Sequence, residues 1–202
     1  MKFNKIGFIG LGLIGGSIAK KIHIEYPDAK LIALSGREAT ITQAHEMGLI
    51  ENDKMCDISD LYDCDCIFLC TPVQQNIEYL KQLKGNIKSD CIITDVGSVK
   101  SDIHKEVITL DMEANFIGGH PMAGSEKTGL ENSKRHLIEN AYYIITPTAK
   151  VSKEAVADYE EFIGSLKALP LVLDYNQHDY ITAAISHLPH LIAAGLVNLV
   201  KH

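Results

Sequence analysis

The 202-residue chain has no tryptophan, and aromatic residues make up only 6% of it. It is also short of positive charge: 19 lysines and arginines face 26 aspartates and glutamates, for a formal net charge of −7. That balance argues against a general nucleic-acid or membrane-surface binder. The sequence shows no apolar run that reads as long enough to span a bilayer. Its start, "MKFNKIGFIG", passes straight into a strand-like pattern without the layout of a signal peptide. Paired CxxC spacing is missing too. Cys56, Cys64, Cys66 and Cys70 gather in or just before one apolar run, and the total of five is odd. These read as reduced core thiols of a cytoplasmic protein, with Cys66 and Cys70 on one side of a strand, rather than as a zinc site or a disulfide framework. No internal repeat, low-complexity tract or flexible linker is visible.

What is present is ordinary core material, 46% hydrophobic, in a length that suits one α/β domain, or one domain and the start of another. Short apolar runs alternate with helical patterns. The strand candidates are "KIGFIG" (5–10), "KLIALS" (30–35), "CIFLCT" (66–71), "CIITDV" (91–96), "NFIGG" (115–119), "AYYIITP" (141–147) and "LPLVLD" (169–174). The third, and the fourth over 91–94, are continuously apolar, as parallel strands covered on both faces are. Ile14, Ile18 and Ile22 recur every four residues, and Ala155, Tyr159, Phe162 and Leu166 form a stripe after Ser152, a candidate N-cap. The alternation predicts a Rossmann-like, doubly wound, mostly parallel sheet.

The last segment reads differently. Residues 178–202 place Ile181, Ile185, Leu188, Ile192 and Leu199 on one helical stripe, with Asp179, Ala183, Ser186, His190 and Ala193 opposite. Pro189 removes a backbone N–H and frees the carbonyl of Ile185, so a local kink is expected there. The expected division is a dinucleotide-binding domain over 1–174 and, over 175–202, the first long helix of a helical domain that is otherwise largely absent.

"GFIGLGLIGG" sets Gly10, Gly12 and Gly15 in G-x-G-x-x-G between a strand and a helix. The first glycine permits the tight turn, the second lets a pyrophosphate approach the backbone, and the third lets helix and strand pack closely. Leu13 and Ile14 open the helix whose N–H groups would face the phosphates. The second strand should end in an acid for the ribose of NAD; it ends instead in Ser35, with Arg37 two residues on. That leans towards NADP, while NAD through Ser35 stays open. Thr71 and Pro72, at the end of the third strand, complete the expected cofactor contacts.

Ligands of open α/β sheets bind outside the carboxyl ends of the strands. "TDVGSVK" puts Ser98 beyond the fourth strand and "GGHPMAGSEKTG" puts His120 at the end of the fifth. Taken alone, Ser98 reads more readily as a helix N-cap, and His120 is evenly balanced between loop punctuation and chemistry. In "ISHLPH", Ser186 and His190 are four apart and share a helix face. His23, His45, His104, His136 and His178 have no paired spacing and read as mostly surface residues; His187 sits off the face of Ser186.

"GLGLIGGS", "TDVGSVK", "GGHPMAGSEKTG" and "ISHLPH", in this order, resemble the prephenate/arogenate dehydrogenase family of tyrosine biosynthesis. The resemblance implies a Rossmann domain followed by a dimerising helical domain, with the active site between them. It implies oxidation of a cyclohexadienol with release of CO2, using NAD or NADP, in a cytoplasmic homodimer that binds neither nucleic acid nor membrane. His120 would take the proton of the ring hydroxyl, and Ser98 would hydrogen-bond that hydroxyl and the histidine. His190, Ser186 and Glu126 would shape the substrate pocket, with Ser125 beside them. The family's carboxylate-gripping arginine lies beyond "HLPH", and no residue here matches it. Two other readings are weighed against this one: a β-hydroxyacid-type dehydrogenase, which would use a lysine where this chain has His190, and a dinucleotide-binding sensor without turnover.

Overall fold

A computed structural model describes residues 3–200. Four parallel strands, β1 (Lys5–Ile9), β2 (Lys30–Leu34), β3 (Cys66–Leu69) and β4 (Ile92–Asp95), lie in the order β2-β1-β3-β4. The chain runs outward from β1 to β2, then returns to the other side of β1 for β3. This reversal opens the crevice in which doubly wound sheets bind their ligands. Three more strands, β5 (Ile117–Pro121), β6 (Tyr142–Pro147) and β7 (Leu169–Val172), form a second sheet, in which β5 and β6 are antiparallel. A single parallel bridge, Ile93 to Phe116, joins the two sheets.

Strand alternation sorts the core into two layers. Ile6, Phe8, Cys66 and Phe68 face one way, where α1 (Leu13–Glu25) and α5 (Lys153–Ser165) cover them. Ile9, Ile67, Leu69 and Ile93 face the other way, under α3 (Val73–Leu83) and α4 (Ser101–Thr109). The α2 helix (Glu38–Glu46) packs Ile41 and Ala44 into the first layer. Both faces are covered, which is why β3 and the start of β4 read as apolar runs. Each fully buried isoleucine or phenylalanine contributes about 1.5–3 kcal/mol. The Ser152 cap is made, its side chain accepting from the Ala155 N–H.

After β7 the Asp174 side chain accepts from the N–H groups of Asn176 and Gln177 and starts a long helix. It comprises α6 (Tyr175–Thr182), a π turn (Ala183–His187) and α7 (Leu188–Leu199). The irregularity expected at Pro189 is this wider turn, closed by the Leu188 N–H on the Ala183 carbonyl. Such turns absorb an interrupted helical ladder. One sequence expectation fails here. Tyr175–Leu199 is 25 residues and contains an 18-residue window with a mean hydropathy of 1.4, long and apolar enough by length and composition to cross a membrane. Histidines and small residues interrupt its apolar run, and Asp179 is its one acidic or basic residue other than histidine.

Candidate active site

The carboxyl ends of β1, β3 and β4, with that of β5 beside them, lie along one edge. At the first, Gly10 has φ +97°, a left-handed conformation that favours glycine. A Cβ on Gly15 would stand 2.5 Å from the Gly10 carbonyl and 2.9 Å from Cys70 Cβ, so helix and strands touch only because that side chain is absent. Gly12, the N-cap of α1, is different: a Cβ there would meet nothing within 4 Å. The space above it is open, and the first turn, begun by Leu13 and Ile14, holds no acidic residue. Those features fit a pyrophosphate set against the helix N-terminus.

The other cofactor candidates border this turn. Ser35 is buried and its hydroxyl accepts from the Arg37 N–H, 3.3 Å away, while Arg37 itself is exposed. Thr71 is held by a residue the sequence reading passed over. The buried Asn76 accepts from the Thr71 N–H at 3.2 Å and from its hydroxyl at 2.5 Å, and donates back to the Leu69 carbonyl. Pro72 follows as the N-cap of α3.

Between β4 and β5 lies a buried ion pair. Asp95 and Lys100 are both fully buried, and the Lys100 ammonium donates to the Asp95 carboxylate and to the Gly119 carbonyl, the latter at 2.8 Å. Asp95 also accepts from the Gly97 N–H at 2.9 Å and the Gly119 N–H at 3.3 Å. Burial lowers the Lys100 pKa, and the Asp95 charge opposes that shift. The backbone immediately before His120 is therefore clamped from both sides, and a Cβ on Gly119 would stand 2.6 Å from the Asp95 carbonyl.

His120 is the fourth residue of β5 and is nearly buried. Its Nδ1 lies 2.8 Å from His178 Nε2, and His178 Nδ1 lies 2.8 Å from Asp179 Oδ1. Burial, followed by the charges of His178, Lys100 and His187, pushes the His120 pKa down to about 3. It is therefore a neutral imidazole throughout the physiological range.

Two of the five histidines read as surface residues are in fact buried. His178 is 1% exposed. His104 is fully buried, stacked on Tyr175 with ring centroids 4.4 Å apart, and its Nε2 lies 3.0 Å from the Thr146 hydroxyl. Both lie where the first turn of α6 meets α4 and β6, a tertiary contact that no local pattern announces. His178 did leave a trace: it stands four residues before Thr182 and eight before Ser186, on one helical row, beside an aspartate. His23, His45 and His136 are exposed, as read.

The remaining candidates are surface groups. Ser98 is exposed in the loop after β4 and does not cap α4, whose N-cap is Lys100. No hydrogen bond joins Ser98 to His120 among the described residues. Ser125 and Glu126 are exposed in the loop after β5, where the Ser125 hydroxyl accepts from the Lys127 N–H. Ser186 and His190 are exposed along the π turn and α7. His187 is the helix histidine whose charge bears on His120. A hollow of about 350 Å³, lined by Phe3, Asp65, Ser89 and Ile92 among others, opens at the opposite, amino-terminal edge of the sheet and shares no residue with this site.

A glycine turn between β1 and α1, a crevice at the strand-order reversal and a buried imidazole at the neighbouring strand end together define a Rossmann-type nucleotide-binding protein. Comparison with known proteins narrows this class. Residues 18–171 match the family model described as prephenate dehydrogenase, nucleotide-binding domain, and residues 174–202 match that of the prephenate dehydrogenase dimerization domain. Prephenate dehydrogenase of Bacillus subtilis is 36% identical over 196 residues, covering 96% of this chain and 53% of that protein. The structure of Aquifex aeolicus prephenate dehydrogenase in complex with hydroxyphenyl propionate and NAD+ superposes with a TM-score of 0.90 at 29% identity, covering 100% of this chain and 71% of that one. Synechocystis arogenate dehydrogenase superposes with a TM-score of 0.87 at 35% identity, covering 96% of this chain and 68% of that one. The chain belongs to the prephenate dehydrogenase family. It spans about half the length of the curated relatives it matches.

Proposed function

We propose that the chain carries the catalytic edge of an NAD(P)-dependent dehydrogenase that oxidises prephenate or arogenate with loss of CO2. The observation that carries this reading is the state of His120: a neutral imidazole at a strand end next to the glycine turn, with Nδ1 engaged and Nε2 bonded to no described residue. When bound, the dinucleotide supplies the hydride acceptor. The substrate's ring carbon gives up a hydride only as its hydroxyl loses a proton, and His120 Nε2 is the base placed to take it. Ser98, which makes no side-chain hydrogen bond among the described residues, can donate to that oxygen. The ring carboxylate then leaves as CO2 and the ring becomes aromatic. That step asks little of the protein beyond placement. Ser186, His190, Glu126 and Ser125 belong to the substrate side of the pocket by the family resemblance.

Residues 1–174 serve in this reading as the dinucleotide-binding domain and 175–202 as the start of the helical dimerising region, in a cytoplasmic homodimer. The Asp174 cap at the junction and the exposed apolar helix after it support that division. The similar structures include a prephenate dehydrogenase and an arogenate dehydrogenase, and the Aquifex complex holds NAD+. The exposed Arg37, which makes no ion pair among the described residues, is suited to a 2′-phosphate. If NADP is the cofactor, Arg37→Ala weakens NADP far more than NAD; equal effects contradict that preference.

The test of the function is turnover of prephenate and arogenate, followed as reduced nicotinamide, in the wild type and in His120→Asn. The variant should lose about 10²–10⁴-fold in kcat with cofactor affinity nearly unchanged. An equal loss of cofactor binding would make His120 a structural residue.

A further inference from the structure

We propose that His178 and Asp179 are positioning residues for His120: together they fix its ring proton on Nδ1 and leave the Nε2 lone pair to face the substrate. The proposal rests on the function stated above and adds two residues to it.

Hydrogen-bond polarity along the row assigns the protons. An ionised carboxylate can only accept. Asp179 accepts from the Lys100 N–H and the Ser101 N–H, each at 2.8 Å, and from the Ser101 hydroxyl. Burial opposes ionisation of Asp179, but its bonds to Ser101 and His178 and to the two backbone N–H groups outweigh it and hold its pKa below the ordinary value. The His178 nitrogen 2.8 Å from Asp179 must therefore carry the proton, which makes that nitrogen, Nδ1, a donor. Burial outweighs the pull of Asp179 and keeps the His178 pKa below its ordinary value, so the ring holds one proton and its Nε2 is an acceptor. His120 Nδ1, 2.8 Å away, must then donate. A single carboxylate thus sets two tautomers in series, and Nε2 of the outer ring is left bare. Thr182, one turn along, brings its hydroxyl within 3.4 Å of the same His178 nitrogen without displacing the shorter contact.

The charged and titratable groups around the pair agree with this assignment. Lys100, at the start of α4, and His187, in the π turn, both disfavour a second proton on His120, while Asp179 favours it. Once Nε2 has taken the substrate's proton, the imidazolium donates through Nδ1 into a chain that ends on a carboxylate. This is the arrangement by which a buried aspartate orients a catalytic histidine and stabilises its charged form in hydrolase triads, here lengthened by one ring.

The experiment combines imidazole ¹⁵N NMR, thermal unfolding and turnover in the full chain for wild type, His178→Phe and His178→Gln. The wild type should show His120 protonated at Nδ1 and bare at Nε2 at neutral pH. His178→Phe removes the acceptor; His120 should move towards the Nε2–H tautomer, and kcat should fall on the order of 10²-fold at unchanged cofactor KM, the low end of what a positioned base contributes. His178→Gln, whose amide oxygen can still accept, should restore much of both. A wild-type His120 protonated at Nε2 overturns the proposal, as does a His178→Phe variant that keeps the wild-type tautomer and kcat. If the wild type oxidises neither prephenate nor arogenate while the tautomers behave as described, the positioning stands and the proposed reaction falls.

Discussion

At the carboxyl edge of the sheet, charged and polar groups are buried and meet partners: Asp95 with Lys100, His120 with His178, Thr71 with Asn76. Along the last helix the reverse holds. Ile185, Leu188, Leu191, Ile192, Leu196 and Leu199 are apolar and exposed. The two regions meet over the first turns of that helix, where His178 and Asp179 reach the sheet edge and Tyr175 stacks on His104. Buried polar networks fix one geometry because an unmet partner is costly there. An exposed apolar stripe fixes nothing by itself and marks a surface that binds something. The edge is therefore held in one geometry, and under the proposed function the helix would supply the half of the site that depends on association.

That contrast can be broken at its most buried point. Lys100→Met leaves the Asp95 carboxylate without its counter-charge and should cost about 3–5 kcal/mol of stability. The double variant Asp95→Asn/Lys100→Met should recover part of the loss. A loss below about 1 kcal/mol in denaturant unfolding would mean that the pair does not clamp the edge.

Acid is a gentler probe of the same region. Burial lowers the His104 pKa from 6.5 to about 4, and His120 falls from 6.5 to about 3. Above pH 6.5 neither ring is protonated in the folded or the unfolded chain, so neither contributes to pH dependence. Below it the unfolded chain takes up protons that the folded one refuses, so stability falls with pH until the folded rings titrate. The descent should approach about 1.4 kcal/mol per ring per pH unit. It should already be visible between about pH 6.5 and 5, and His104→Gln should flatten it. A flat profile there contradicts the burial of both rings.

The exposed stripe should respond least. Leu196, 60% exposed, should change the stability of the isolated chain by no more than about 0.5 kcal/mol when replaced by serine. A loss of several kcal/mol would show that the stripe is already covered, and an analytical ultracentrifugation shift accompanying it would identify a second copy as the cover.

Much of the edge was legible in the sequence because local rules govern it. The glycine turn announces itself through spacing, and the structure gives Gly10 and Gly15 the turn and the close contact that the spacing implies. Continuous apolar runs announced the doubly covered strands. His178 and His104 were not legible, because each bonds a neighbour far away in the chain: His120 is 58 residues from His178, and Thr146 is 42 from His104. Asn76 bonds Thr71 and Leu69, 5 and 7 residues away, across the turn from β3 into α3, and no hydropathy pattern reports that contact. Lys100 read as part of a loop motif, yet its ammonium ends up fully buried against Asp95 and Gly119. A hydropathy pattern cannot report such a lysine, since only the fold brings its acceptors together. The helix erred in the other direction: its scattered histidines suggested an interrupted run where an 18-residue stretch is, on average, apolar enough to cross a membrane.

The central claim is that the bare nitrogen of His120 stands beside the reacting carbon once a dinucleotide and a cyclohexadienol analogue are bound. A crystal structure of the chain with NAD+ and such an analogue tests it directly. The account predicts the analogue's hydroxyl oxygen within about 3 Å of His120 Nε2 and its ring carbon about 3–3.5 Å from the nicotinamide carbon that receives the hydride. A nicotinamide seated away from β5, or an analogue bound with its hydroxyl turned from His120, would contradict it.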